Sequence, residues 1–167
     1  MTTKSDLNAS GLANKRALVT GAGGAIGREI VSLFVGGGAR VVATDRDATS
    51  LAGLAEQYGD QVLTIVADVS DPDEMAAATD AVVAAWGGLG IAVLCAGVEG
   101  TVSNIVDADV ADFDRVMAVN VRGVWLGLKY AVAAMKQTDA SGGSIVALSS
   151  NAGMAGAARA SAYSASK

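Results

Sequence analysis

The sequence predicts an α/β fold: a doubly wound parallel sheet of at least five strands with helices against its faces. Three observations carry this expectation. Short apolar runs of β type alternate with segments of helical periodicity from one end of the chain to the other. The strand segments are continuous apolar runs, not alternations of apolar and polar residues, as expected of strands covered on both faces. Three of them run into small residues, in VTGAGG, LCAGVEG and LSSNAG. Strands that end alike deliver small residues to one rim, and in such sheets ligands bind at the carboxyl ends of the strands.

Residues 1–14 are polar and read as a flexible lead, with one domain over 15–167. The first strand is 16–20. Glycines interrupt the chain there. A helix follows over 25–35, with Ile26, Ile30, Val31 and Phe34 at helical spacing and glycines at its end. A second strand, 40–44, stops at Asp45. Residues 49–58 fit one helix with Leu51, Leu54 and Ala55 inward. The third strand is 62–66. Asp71 is placed to cap a helix whose first residue is Pro72 and which runs to about residue 86. A fourth strand over 91–95, a long helix over 109–135 and a fifth strand over 144–148 come next. After a loop of small residues a last helix begins at Ser161. The uncharged stretch 81–98 is long enough for a membrane span. Glycines interrupt it, so it reads as a helix end, a turn and a buried strand, and no membrane partner is expected.

Composition removes several classes of chemistry. The net charge is −5 and no Lys/Arg cluster exists to neutralise phosphates, so a nucleic-acid partner is not expected. The chain has no histidine and a single cysteine. That excludes a Ser-His-Asp triad, a Cys-His pair, His-ligated zinc, a cysteine-rich metal site and an internal disulfide. Proton chemistry then falls to Tyr, Lys, Asp, Glu or Ser. The polar start lacks an apolar signal core, which leads to the expectation of a cytoplasmic protein.

Gly21, Gly23, Gly24 and Gly27 lie where the first strand breaks and the first helix re-forms, with Ile26 in the first turn. Such a turn leaves backbone N–H groups free at a helix start, where the helix dipole favours a pyrophosphate. A Cβ there would hold the phosphate away and resist positive φ. A tight strand-to-helix turn with no ligand is the other reading. Asp45 lies 24 positions after Gly21 and directly follows a strand. A carboxylate there accepts both hydroxyls of an adenosine ribose and repels a 2′-phosphate, which favours NAD over NADP. The alternative is a solvated aspartate at a strand end, as Asp47 is expected to be. Arg46 beside it can stack on adenine or meet a phosphate.

Tyr163 and Lys167 are four residues apart, so on a helix they share one face. A free tyrosine titrates near about 10 and is a poor base at neutrality, but an adjacent ammonium favours the phenolate. Ser150, at the rim of the fifth strand, can donate a hydrogen bond to a substrate carbonyl or hydroxyl. Each feature alone also fits an amphipathic surface helix or a loop serine.

In combination these residues resemble the short-chain dehydrogenase/reductase family of the single-domain type. The resemblance runs from Lys15 to Lys167 through Thr20-Gly21 to Gly27, Asp68-Val69, Ala96-Gly97, Val119-Asn120-Val121, Ser149-Ser150 and Tyr163-Ser164-Ala165-Ser166-Lys167. It implies a Rossmann-like domain that moves a hydride between a nicotinamide cofactor and a secondary alcohol or ketone. It makes Tyr163 the general acid/base and Ser150 the residue that orients the substrate. Lys167 would hold the nicotinamide ribose, and Asn120 would support a water-linked proton path to Lys167. By the same resemblance Asp68 and Val69 lie at the adenine, and Cys95, Ala96 and Gly97 line the cofactor. A homodimer or homotetramer through the 109–135 helix and the next one is implied as well. The alternative function is a non-catalytic NAD-binding or scaffolding domain.

The sequence departs from the family pattern at three places. Ala25 stands where the family usually has glycine, Leu94-Cys95 where it has paired asparagines, and Gly90 where it has an aspartate. Family members also continue past the Tyr-x-x-x-Lys helix with two strands and a substrate-covering loop. The chain is therefore expected to be part of a longer enzyme.

Overall fold

The central strand of the sheet is β1 (Arg16–Thr20), and the sequence explains why: Ala17, Leu18 and Val19 carry no polar atom beyond the backbone, and none is exposed. The computed structural model describes residues 11–138 and 142–167. β1 pairs in parallel with β2 (Arg40–Asp45) and β4 (Ile91–Leu94), and β3 (Val62–Val66) and β5 (Ser144–Ala147) complete a sheet of order β3-β2-β1-β4-β5. The chain winds outward to β3, then crosses to β4 on the other side of β1. Strand order thus reverses between β1 and β4, and this opens a crevice above their carboxyl ends.

Side chains alternate between two cores, as the pleat requires. Ala17, Val19, Val41 and Ala43 face α1 (Ala25–Gly36), α2 (Ala48–Leu51) and α3 (Leu54–Tyr58), and pack on Val31, Leu51 and Leu54. Leu18, Val42 and Ala92 face α4 (Pro72–Trp86) and the later long helix, and pack on Met75, Val82, Leu126 and Met135. Full burial of one such Val or Leu side chain contributes roughly 1.5–3 kcal/mol. The α4 start follows its capping signal: the Asp71 carboxylate accepts from the N–H groups of Asp73 and Glu74, and Pro72 opens the helix.

Several expectations need correction. Residues 49–58 do not form one helix. Gly53 adopts φ +83°, which ends α2 and restarts the chain as α3. Leu51 and Leu54 still face the core, but the break turns Ala55 to solvent. The fourth and fifth strands stop at Leu94 and Ala147, one residue early. β3 and β5 are apolar yet half-open, with Val66 55 % and Val146 48 % exposed, because they sit at the sheet edges. The long helix starts after its cap, Asp109, as α5 (Val110–Met117). One π-helical turn, Ala118–Arg122, interrupts it before α6 (Gly123–Thr138). The loop of small residues contains a short helix, α7 (Ala152–Ala155), ahead of α8 (Ser161–Ser166). Residues 1–10 of the expected lead lie outside the described residues. Its last part is a hydrogen-bonded turn: Asn14 N–H donates to Gly38 O and Lys15 N–H to Leu12 O. Among the described residues no helix is long and apolar enough to cross a membrane.

Candidate active site

Four strand ends converge on one cavity of about 350 Å³ at the β1/β4 switch point. After β1 come Gly21, Gly24, Ile26 and Gly27, and after β2 come Asp45 and Arg46. Asp68 and Val69 follow β3, and Cys95, Ala96 and Gly97 follow β4. The cavity therefore gathers the glycine turn and Asp45 and Arg46, singled out by spacing, with Asp68, Val69, Cys95, Ala96 and Gly97, singled out by the family resemblance. Ala25, Ala67, Val98 and Val119 also line it and were missed. The first three flank predicted residues in the chain, and Val119 precedes Asn120, so adjacency was the available signal. Ala25 is exposed at the cavity wall, so its methyl group displaces no protein atom. Ile26 is 60 % exposed there, an apolar side chain left open at a helix start.

The four glycines of the turn are not equivalent. At Gly23 a Cβ would overlap the Ser50 side chain, and at Gly27 it would overlap the Gly21 carbonyl. Gly21 has φ +65° and lies against the Ala96 backbone. The protein's own packing already requires glycine at these three. At Gly24 the nearest atom to a Cβ, Gly21 O, is 3.4 Å away, so the protein itself tolerates a methyl group there. Gly24 is also the N-cap of α1, and no side chain caps that helix. Its first N–H groups are left for another acceptor. A glycine that packing does not need, at an uncapped helix start lining a cavity, fits a bound diphosphate.

Gly23 does not line the cavity but fixes what does. Its N–H donates to Asp45 Oδ2 at 3.0 Å, and Asp45 Oδ1 accepts from Asp47 N–H at 3.2 Å. Each carboxylate oxygen keeps lone-pair capacity for a further donor. Asp68 is partly buried, which works against its charge. The Ser70 N–H and hydroxyl, both bonded to Oδ1, and the nearby Arg46 guanidinium outweigh burial and hold its carboxyl below the usual range. At Cys95 burial pushes the thiol up, Asp45 adds to this and Lys167 opposes it, so the thiol is neutral at pH 7. With Leu94-Cys95 in place of paired amides, the Thr20 hydroxyl serves the strand end by accepting from the N–H groups of Cys95 and Ala96.

Tyr163, Lys167, Asn120 and Ser150 do not line this cavity. α8, which carries Tyr163 and leads into Lys167, lies beyond the Gly97 edge. Lys167 Nζ donates to Leu148 O at 3.0 Å, just past β5, and stands 5.8 Å from the Tyr163 ring centroid. A Cβ on Gly97 would sit 3.3 Å from Asn120 Oδ1 and 3.5 Å from Lys167 Nζ, so both groups flank the cavity edge there. Asn120 is 4 % exposed within the π-helical turn. Its Oδ1 accepts from Val98 N–H, and its Nδ2 donates to Val98 O and Ser166 Oγ, each at 2.8 Å. Ser166 Oγ in turn donates to Tyr163 O. The amide thus ties α8 to the end of β4, with Ser166 as its side-chain partner. Ser150 Oγ accepts from Ala152 N–H at the start of α7. A hydroxyl that accepts retains its proton to donate.

Comparison with known proteins agrees with this fold. The short chain dehydrogenase family profile matches residues 15–167. The sex determination protein tasselseed-2 of Zea mays is 41 % identical over 162 residues, covering 93 % of this chain and 47 % of that protein. The 3-alpha-(or 20-beta)-hydroxysteroid dehydrogenase of Mycobacterium bovis is 35 % identical over 156 residues, covering 93 % of this chain and 59 % of that protein. Among solved structures, 3-ketoacyl-(acyl-carrier-protein) reductase from Brucella melitensis, complexed with NADH, superposes with a TM-score of 0.87 at 32 % identity. That match covers 93 % of this chain and 64 % of the reductase. The chain spans about half to two thirds of the length of the relatives it matches.

Proposed function

Because this chain belongs to the short-chain dehydrogenase family, we propose that it is the cofactor-binding and catalytic part of an NAD-dependent oxidoreductase acting on a secondary alcohol or its ketone. The observation that carries the reading is the cavity at the β1/β4 switch point, with Lys167 and Asn120 at its Gly97 edge. In this proposal the diphosphate rests at Gly24 and the N–H groups of the first turn of α1. Asp45 accepts from the ribose hydroxyls, which favours NAD over NADP, while Arg46, Asp68 and Val69 bound the adenine. Cys95, Ala96 and Gly97 line the remainder.

NAD, when bound, supplies the hydride acceptor. Tyr163 takes the proton from the substrate hydroxyl in oxidation and returns it in reduction. The Lys167 ammonium is held by Leu148 O and stands 5.8 Å from the Tyr163 ring centroid. Lys167 also holds the nicotinamide ribose. Ser150 donates its free hydroxyl proton to the substrate oxygen. Asn120 fixes the pitch of α8 and, through the π-helical turn, supports the path by which Lys167 exchanges protons with solvent. A relative named for hydroxysteroid oxidation supports a secondary alcohol as the reacting group.

The exposed apolar side chains Val121, Trp125, Leu128 and Val132 recur at helical spacing along the long helix, which supports a homo-oligomer across that face. Residues 15–167 are proposed as one dinucleotide-binding domain of a cytoplasmic protein.

The test is NADH formation from NAD⁺ and a panel of secondary alcohols. Tyr163→Phe is expected to lower turnover by about 10²- to 10⁴-fold while leaving NAD⁺ affinity unchanged. Undiminished turnover in that variant overturns the reading. Tight NAD⁺ binding with no turnover in the unmutated protein returns the alternative of a non-catalytic binding domain.

A further inference from the structure

We propose that Arg28 is a positioning residue for coenzyme ribose recognition, acting through Gly23 and Asp45; the inference rests on the reading of Asp45 given above. Arg28 does not line the cavity. Its Nε donates to Gly23 O at 3.0 Å, and its Nη2 donates to Ser50 O. These two carbonyls belong to different segments, the β1–α1 turn and α2.

The bonds close a ring. Gly23 N–H donates to Asp45 Oδ2, and Asp47 N–H donates to Asp45 Oδ1. Asp47 O accepts from both Ser50 N–H at 3.1 Å and Ser50 Oγ at 2.6 Å. From Ser50 the ring returns through the guanidinium to Gly23. Direct contact reinforces it, since only the absent Cβ of Gly23 lets the Ser50 side chain approach. The Asp45 carboxylate therefore owes its orientation to two backbone N–H groups whose spacing Arg28 sets.

Chemistry explains why arginine stands here. Two carbonyls on separate segments need two donors held in a rigid, divergent fork. A lysine ammonium at the end of a flexible stem reaches one acceptor or the other, but does not fix the distance between them. With that distance released, Gly23 N–H and Asp47 N–H no longer hold the carboxylate square to a ribose. The diphosphate turn and the cavity wall keep their other bonds, among them Gly24 N–H to Gly21 O and Ala22 N–H to Thr44 O. The loss should therefore fall on the ribose hydroxyls alone.

The experiment compares Kd values for NAD⁺ and for its analogue lacking the 2′-hydroxyl of the adenosine ribose. Calorimetry is run on the unmutated protein, Arg28→Gln and Arg28→Lys, with melting of each unliganded protein measured alongside. The unmutated protein is expected to bind NAD⁺ about tenfold tighter than the deoxy analogue, the worth of one good hydrogen bond. Both variants should bring that ratio to within about twofold, by weakening NAD⁺ more than the analogue. Equal loss for both nucleotides marks a merely structural role and overturns the proposal. An Arg28→Lys protein with the original ratio also overturns it, because charge alone then suffices. The lysine variant keeps the test open if Arg28→Gln fails to fold. A ratio near one in the unmutated protein instead sinks the Asp45 reading, and the two failures are thus told apart.

Discussion

The β1–β2 side of the sheet and the β5 side are built in different ways. Around β1 and β2 every inward side chain is closed off: Leu18, Val19, Val41 and Val42 are 0 % exposed. The site residues there are locked by the same backbone that makes the core, as Gly23 is by Ser50 and Asp45. Around β5 the apolar surface is open, with Val146 48 % and Met154 82 % exposed. There the candidate catalytic residues hang on a few long-range bonds, chiefly Asn120 to Ser166 and Lys167 to Leu148 O. The lesson is that recognition and stability share one set of residues on the first side. On the second, the groups that would do chemistry hold one short helix in place and stand apart from the closed core. Mutations should therefore separate cleanly into those that unfold and those that silence.

The largest effect expected under this contrast is at Lys167. Lys167→Met should reduce NADH formation by about 10²- to 10⁴-fold, while unfolding in urea shifts by no more than about 1.5 kcal/mol, the net worth of its bond to Leu148 O. A large loss of stability with activity retained would erase the distinction between the two sides. A matched pair then sharpens it. Leu18→Ala in the closed core should cost roughly 3–5 kcal/mol, and Val146→Ala on the open edge strand less than about 1 kcal/mol, both read from urea midpoints. Equal costs would mean that β5 is covered in solution, for instance by a second copy. The smallest effect is at Thr44, fully buried on β2, whose Oγ1 has no hydrogen-bond partner among the described residues. Thr44→Val removes an unsatisfied hydroxyl and should stabilise by up to about 1 kcal/mol with an unchanged denaturant slope. A destabilised variant would mean that the hydroxyl finds a partner in solution.

Much of the first side could be read directly. β1 and β3 match the expected residues at both ends, and Asp71 and Pro72 start α4 as their chemistry requires. The strand-end residues Gly21, Asp45, Asp68 and Gly97 meet in one cavity, because a parallel sheet brings all carboxyl ends to the same rim. Less could be read on the second side. The exposure of β5 depends on its place in the sheet, and an apolar run looks the same at the centre and at an edge. The π-helical turn leaves no mark in the periodicity, and only the family resemblance singles out Asn120. Its three bonds go to Val98 and Ser166, which are remote in sequence.

By itself, the sequence determined the alternation of strands and helices, the Asp71 cap, the turn at Gly21 and the spacing of Tyr163 from Lys167, because each rests on interactions between residues a few positions apart. The tertiary structure decided which of the four glycines is left for a ligand, what Asn120 and Lys167 hold, and that Arg28 closes a ring around Asp45. Those outcomes depend on backbone carbonyls and N–H groups that every residue carries. No pattern of side chains can announce them, and only the folded positions of Ser50, Leu148 and Val98 bring them within reach.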